Sequence, residues 1–291
     1  MASAKTLIMG LLTGMTLEQI KPFFVSLEKT GYSGDVCVFV ADLDPATLDF
    51  LRAQRVNLVP FQKAYLKSKW ARRIGRARIF MKPWQRRRFD EQMALTYLHV
   101  WCARAIHYRT YLAECGKDYD QVMLSDIRDI LFQRNPFDFE TAPGLSVFLE
   151  DARLTIGTCV SNSTWLRDGF GGEVLTELRD KSIFCAGTVF GTPGVLSDFL
   201  NQSVELYHKK NNGGLIDQAA FNYLLHKQPP AVWRAFDNNT GPILTMANMT
   251  ADQFRFNESG LMVNAAGRVF NTLHQYDRHP ELARHLLQIL S

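Results

Sequence analysis

The sequence predicts an α/β fold, a mixed and mainly parallel sheet flanked by helices. Its first 60 residues alternate strand-like and helix-like stretches in the order β-α-β-α-β, the rhythm of parallel strands joined by crossover helices. Further on, Val122-Met123-Leu124 is a continuous apolar run, as expected of a strand covered on both faces. That run stops at Ser125-Asp126-Ile127-Arg128-Asp129, and open α/β sheets bind ligands at the carboxyl ends of their strands.

The elements follow in order. Lys5 to Leu12 reads as a first buried strand with Thr13-Gly14-Met15-Thr16 as its loop, and a helix then runs to about Thr30. Pro22 is expected in that helix's first turn, where a missing N–H is harmless, and Gly31 at its C-terminal turn. Asp35 to Ala41 is a second strand, a helix spans about 45 to 54, and Val56 to Pro60 is a third strand. Phe89 to about Glu114 is the longest helical candidate, with Met93, Tyr97, Val100, Trp101 and Ile106 spaced for one buried face. Val147 to Glu150 is a short strand candidate, and Asp151 to Asp180, polar and Gly-rich, is expected to be an irregular loop. Ile183 to Gly191 is another buried stretch, followed by helices over Pro193 to Lys209 and from Gly213 to about His226. Phe254 to Asn257 with Leu261 to Asn264 suggests a hairpin, Arg268 to Leu273 a last strand, and Pro280 to Leu290 a closing helix. With no internal repeat and no long linker, residues 1–291 are expected to form one domain.

Composition excludes several classes. Apolar residues make up 46% and charged residues 21%, which is a globular mix and not a disordered one. The five cysteines are dispersed without a C-x-x-C pair, which suits reduced thiols better than a disulfide framework or a zinc site. No stretch approaches 18 apolar residues and the N-terminus has no long apolar h-region, so a cytoplasmic location is expected.

The net charge of +4 is mild, but Lys and Arg concentrate between Lys67 and Arg88. This segment reads either as a solvated basic insertion or as a surface for the inner face of a membrane or an acceptor, with Trp70, Ile74, Phe80 and Trp84 as apolar anchors. Nucleic acid is not an expected partner, because nothing elsewhere supplies a matching aromatic platform.

The chemistry-bearing stretch is Asp126 to Asp129. Two carboxylates at a strand end are unfavourable unless a metal ion or an arginine compensates them. Taken with the β-α-β opening, the Cys185-Ala186-Gly187-Thr188 segment, Asp217-Gln218 and a late histidine, His274, the chain resembles the nucleotide-sugar-dependent glycosyltransferases of the GT-A fold. The resemblance implies a GT-A-like, Rossmann-like domain whose residues 1–140 form a nucleotide-binding half and 141–291 an acceptor-binding half. It implies transfer of a sugar from a UDP- or GDP-sugar to a glycan, lipid-linked or small-molecule acceptor. It also implies a divalent cation, Mn²⁺ or Mg²⁺, held by Asp126, Asp129 and His274.

The family pattern places its second carboxylate at position 128, where this chain has Arg128. Either Asp129 takes the metal role, or Arg128 itself pairs with the diphosphate and the enzyme depends less on metal. The resemblance further implies that Thr13 and Gly14 receive the nucleotide base, Arg88 contacts donor phosphates, Gly187 lets the sugar approach the backbone, and Gln218 contacts the donor. Asp217 is the implied general base. Plainer roles stand beside these: a turn at Thr13-Gly14, a surface arginine at 88, strand packing at Gly187, and a helix N-cap at Asp217.

Two other classes remain as alternatives. A catalytically silent module of the same fold could dock on membrane or protein through residues 67–88. An aspartate-dependent phosphotransferase requires a nucleophilic Asp on the first strand, and Leu7 to Leu12 offers none.

Overall fold

Strand β1 (Thr6–Thr13), the first of the apolar runs, is an interior strand of a seven-stranded sheet. The structure is a computed structural model that describes residues 4–62, 94–95, 98–210, 216–229 and 232–290. The basic segment 67–88, with Arg88, lies outside the described residues. After β1 come α1 (Leu17–Lys29), β2 (Asp35–Ala41), α2 (Pro45–Ala53), β3 (Asn57–Pro60), α3 (Val100–Cys115), β4 (Gln121–Ser125), β5 (Ile130–Phe132) and β6 (Leu145–Leu149). The second half supplies α4 (Val160–Phe170), α5 (Gly172–Leu178), β7 (Phe184–Gly191), α6 (Pro193–Lys209), α7 (Asp217–Lys227), β8 (Trp233–Phe236), β9 (Ile243–Thr245), β10 (Thr272–His274) and α8 (Pro280–Leu290).

The large sheet runs β3-β2-β1-β4-β7-β6-β8. Its neighbours are parallel except at β7, which is antiparallel to both β4 and β6. The strands of residues 1–140 (β3-β2-β1-β4) and of 141–291 (β7-β6-β8) form adjoining parts of it, and the β4–β7 pairing carries hydrogen bonding across the expected division at residue 140. The protein is thus α/β with a mixed, mainly parallel sheet. Along β1, Leu7, Met9 and Leu11 join the core under α3, α6 and α7, while Ile8 and Leu12 join the core under α1 and α2. This alternation covers both faces with helices. A three-stranded sheet, β5-β10-β9, and α8 enclose a third, smaller core around Leu131, Leu273 and Leu286. No described helix is long and apolar enough to cross a membrane.

Several sequence expectations are corrected. Pro22 lies inside α1, because the helix already starts at Leu17, where the Gln19 side chain accepts from the Thr16 N–H at 2.9 Å. Of the long helical candidate, residues 89–93 and 96–97 lie outside the described residues, Ala94 and Leu95 are helical, and α3 runs from Val100, with the His99 ring accepting from the Trp101 N–H at 3.4 Å. Its Val100 and Trp101 are half-buried, and Cys102, Ala105, Ile106, Tyr108 and Leu112 form the buried face. Residues 151–180 hold two helices in place of a loop. Leu166, Phe170 and Leu178 bury inward together with the polar Asn162, and Gly171 turns between α4 and α5 at φ 94°. The hairpin near 254–264 is reduced to the single bridge Phe256–Met262, and the last strand to Thr272–His274 preceded by a Val263–Val269 bridge. All five cysteines are free thiols.

One half-buried histidine on α3 makes stability pH-dependent. The His107 ring lies 4.9 Å from that of Phe61 and 5.6 Å from that of Phe39, and burial pushes its pKa down from 6.5 to about 4. Between these values the unfolded chain binds the proton and the folded one does not. Its contribution to stability is therefore complete above pH 6.5 and is lost as pH falls towards 4. Urea denaturation across this window is expected to show a shallower loss of stability for His107→Phe than for the parent chain.

Candidate active site

Met15, Asp126 and Glu150 each follow the carboxyl end of a strand, β1, β4 and β6 respectively, and all three line one cleft of about 580 Å³. Because β7 runs the opposite way, its opening residues lie at this same edge, and the Asp126 N–H donates to the Gly187 carbonyl at 2.8 Å. The β5–β10 pairing sets His274 opposite Ile130, and the Gln275 N–H, on a left-handed residue (φ 63°), donates to the Asp129 carbonyl at 2.7 Å. Three elements distant in sequence thereby converge on one point.

At that point His274 Nε2 lies 3.7 Å from Asp126 Oδ2 and 3.7 Å from Asp129 Oδ1. These separations exceed a hydrogen bond, and among the described residues the buried Nε2 has no hydrogen-bond partner. One ligand atom from each residue falls within 4.8 Å of the others, and an ion placed among them would bring all three within coordination reach. A side chain at Gly187 would close that space, since its Cβ would overlap the His274 ring and sit 2.8 Å from Asp126 Oδ2. The other ring nitrogen, Nδ1, is 3.3 Å from Cys185 Sγ, a contact that fixes the ring's orientation. The donor set, two carboxylates and an imidazole, suits Mn²⁺ and is compatible with Mg²⁺.

Burial works against ionised Asp126, but Arg104 and His274 outweigh it and hold the carboxyl well below the usual range. Burial raises Asp129, with Asp126 adding to the shift. Arg104, on α3, donates from Nη1 to Asp126 Oδ1 at 2.5 Å and from Nη2 to Asp217 Oδ2 at 3.4 Å. Its guanidinium carbon lies 5.5 Å from the centre of the Trp101 ring. Oδ1 of Asp126 thus faces the arginine while Oδ2 faces the histidine. Arg128 ion-pairs with Asp277 at 3.1 Å and lies 4.0 Å from Asp129.

Beyond the cluster, the buried Glu150 has no cationic partner in hydrogen-bond contact among the described residues. Its oxygens accept from Gln218 Nε2 at 3.1 Å and Asn248 Nδ2 at 3.0 Å. Burial pushes its pKa up to about 7, partly offset by His274 and the Asn248 bond. Burial also raises Asp217, opposed by Arg104.

Asp126, Arg128, Asp129, Gly187, Asp217, Gln218 and His274 all line this cleft. The helix cap at α7 is Ile216, and Asp217 is its first helical residue, engaged with Arg104. The Gln218 amide is occupied within the protein, with Oε1 accepting from the Ala186 N–H at 2.9 Å. Thr13 and Gly14 close β1 but do not line the cleft, where Met15 stands in their place. Gly14 has φ 62°, the turn conformation that glycine adopts most readily. Sequence reasoning missed Arg104, Glu150, Asn162, Trp165 and Asn248. Glu150 carried a signal, a carboxylate ending an apolar run just as Asp126 does; Arg104 carried none.

Comparison with protein-family models gives no match, and no curated protein is significantly similar in sequence.

Removing the Arg104 charge takes from two half-buried carboxylates the cation they share; breaking a fully buried pair typically costs about 3–5 kcal/mol, and the partial exposure here and the remaining His274 put the loss at the low end. Arg104→Met is expected to lose that much in chemical denaturation, and adding Asp217→Asn should recover part of it. Equal stability of Arg104→Met and the parent would refute the shared ion pair.

Proposed function

We propose that the protein is a glycosyltransferase of GT-A-like fold that moves a sugar from a nucleoside diphosphate sugar, UDP- or GDP-linked, to a hydroxyl acceptor. The observation that carries this reading is the unpartnered His274 Nε2 facing Asp126 and Asp129 at the carboxyl edge of the sheet. These three residues would hold the divalent cation. A bound Mn²⁺ or Mg²⁺ supplies Lewis-acid stabilisation of the charge that develops on the leaving diphosphate.

The protein's own groups do the remaining work. Arg104 fixes the direction of the Asp126 carboxylate, and Cys185 that of the His274 ring. Arg128, 39% exposed beside the cluster, can turn towards a diphosphate oxygen. Gly187 keeps the backbone close to the sugar without a clashing side chain. Transfer forms a bond from the acceptor oxygen to the anomeric carbon and breaks the bond to the diphosphate, which leaves with the electron pair. The acceptor's proton must go to a base. Asp217 and Glu150 both face the cleft; Asp217 is shared with Arg104, whereas Glu150 is held only by amides. Glu150 is therefore the proton acceptor in this reading, and Asp217 holds Arg104 in place.

Calorimetric titration with UDP and with GDP, each with Mn²⁺ and again with EDTA, tests the donor reading. One nucleotide is expected to bind with Mn²⁺, and His274→Gln should weaken that binding by about tenfold or more. Binding that survives EDTA would move the diphosphate role to Arg104 and Arg128. Absence of binding by either nucleotide would overturn the proposal.

A further inference from the structure

The cleft has two ends, and sheet order tells them apart. Strands β1, β4, β7 and β6 are successive neighbours. At about 4.8 Å per strand, Glu150 lies roughly 14 Å along the edge from Met15, with the Asp126 cluster between them. Given the donor reading above, on which this inference rests, a diphosphate at Asp126 with its nucleoside towards β1 leaves the Glu150 end for the second substrate.

The groups there have a definite chemical character. Gln218 Nε2 has two hydrogens but three acceptors in reach: the Phe184 carbonyl at 2.9 Å, Glu150 Oε1 at 3.1 Å and Asn162 Oδ1 at 3.2 Å. The Phe184 carbonyl also accepts from Asn222 Nδ2 at 2.9 Å, so Gln218 can serve Glu150 and Asn162, and each carboxylate oxygen of Glu150 can accept a second hydrogen bond. A ligand hydroxyl can donate it. Three residues after Asn162, and so on the same face of α4, Trp165 lines the cleft with 38% of its surface exposed. A flat apolar ring beside polar acceptors matches a sugar, which presents C–H bonds on its face and hydroxyls at its edge.

Other acceptor chemistries fit less well. Among the described residues no Leu, Val or Phe lines the cleft, whose apolar lining is Met15, Trp101, Ile127, Trp165 and small residues, a short apolar surface for a long acyl chain. An acceptor carrying a carboxylate or phosphate would bring like charge against Glu150.

We propose that the end of the cleft bounded by Glu150, Asn162, Asn248 and Trp165 is an acceptor subsite for an uncharged sugar ring, one of whose hydroxyls donates to Glu150. The test is saturation-transfer NMR and calorimetry on the full chain with methyl glucoside, galactoside and mannoside in both anomers, with methyl glucuronide as the anionic probe and decyl phosphate as the lipid-like one. Each is titrated with UDP or GDP and Mn²⁺ present and absent. At least one neutral glycoside is expected to bind. Trp165→Ala and Glu150→Gln should each weaken it by about tenfold, with Trp165→Phe retaining most of the affinity. Nucleotide affinity should be unchanged in these variants. Glycoside binding without any nucleotide binding would support the subsite while removing the donor reading. The subsite is overturned if no neutral glycoside binds, if Trp165→Ala binds as tightly as the parent, or if the glucuronide or decyl phosphate binds more tightly.

Discussion

The Asp126 carboxylate is the constraint on which the rest of the site depends. One of its oxygens faces Arg104 at 2.5 Å and the other faces His274 at 3.7 Å. A charge this enclosed is tolerable only when compensated from both sides, and the compensating groups come from α3 and β10, remote from β4 in the chain. The close packing of α3 under the large sheet and the pairing of β5 with β10 are what bring them there. The architecture and the electrostatics are therefore a single problem: moving α3 or β10 would leave Asp126 either unpaired or crowded.

The reversed direction of β7 has a specific consequence. In a wholly parallel sheet, each strand would contribute only the loop after its carboxyl end. Because β7 runs the other way, its opening residues Phe184 to Gly187 enter the edge where β4 and β6 stop, and they bring backbone and a side-chain-free position against Asp126 and His274. Cys185, the anchor of His274, and Ala186, the anchor of Gln218, arrive by the same route. The antiparallel strand thus supplies the floor of the cleft and orders the residues around it.

Local signals made most of this fold legible. Continuous apolar runs marked β1, β2 and β4, and the helices expected over about 45 to 54 and Pro193 to Lys209 lie at Pro45–Ala53 and Pro193–Lys209. Asp126, Asp129 and His274 were readable because each follows or ends an apolar run. What failed depended on contacts distant in sequence. The helices within 151–180 were hidden because their apolar residues are few and their glycines cluster at the joint, so that packing against α7 decides the outcome over local propensity. Arg104 was hidden for a related reason. Within α3 it is one more charged helical residue, and only the placement of Asp126 and Asp217 opposite it gives it a role.

The central claim is that Asp126, Asp129 and His274 jointly hold a divalent cation. Electron spin echo modulation spectroscopy of the Mn²⁺-loaded chain tests it most directly, because it detects nitrogen bound to the metal. The account predicts a directly coordinated imidazole nitrogen whose signal disappears in His274→Gln while the other histidines remain intact. A Mn²⁺ spectrum without nitrogen coupling, or one unchanged by that substitution, would contradict it.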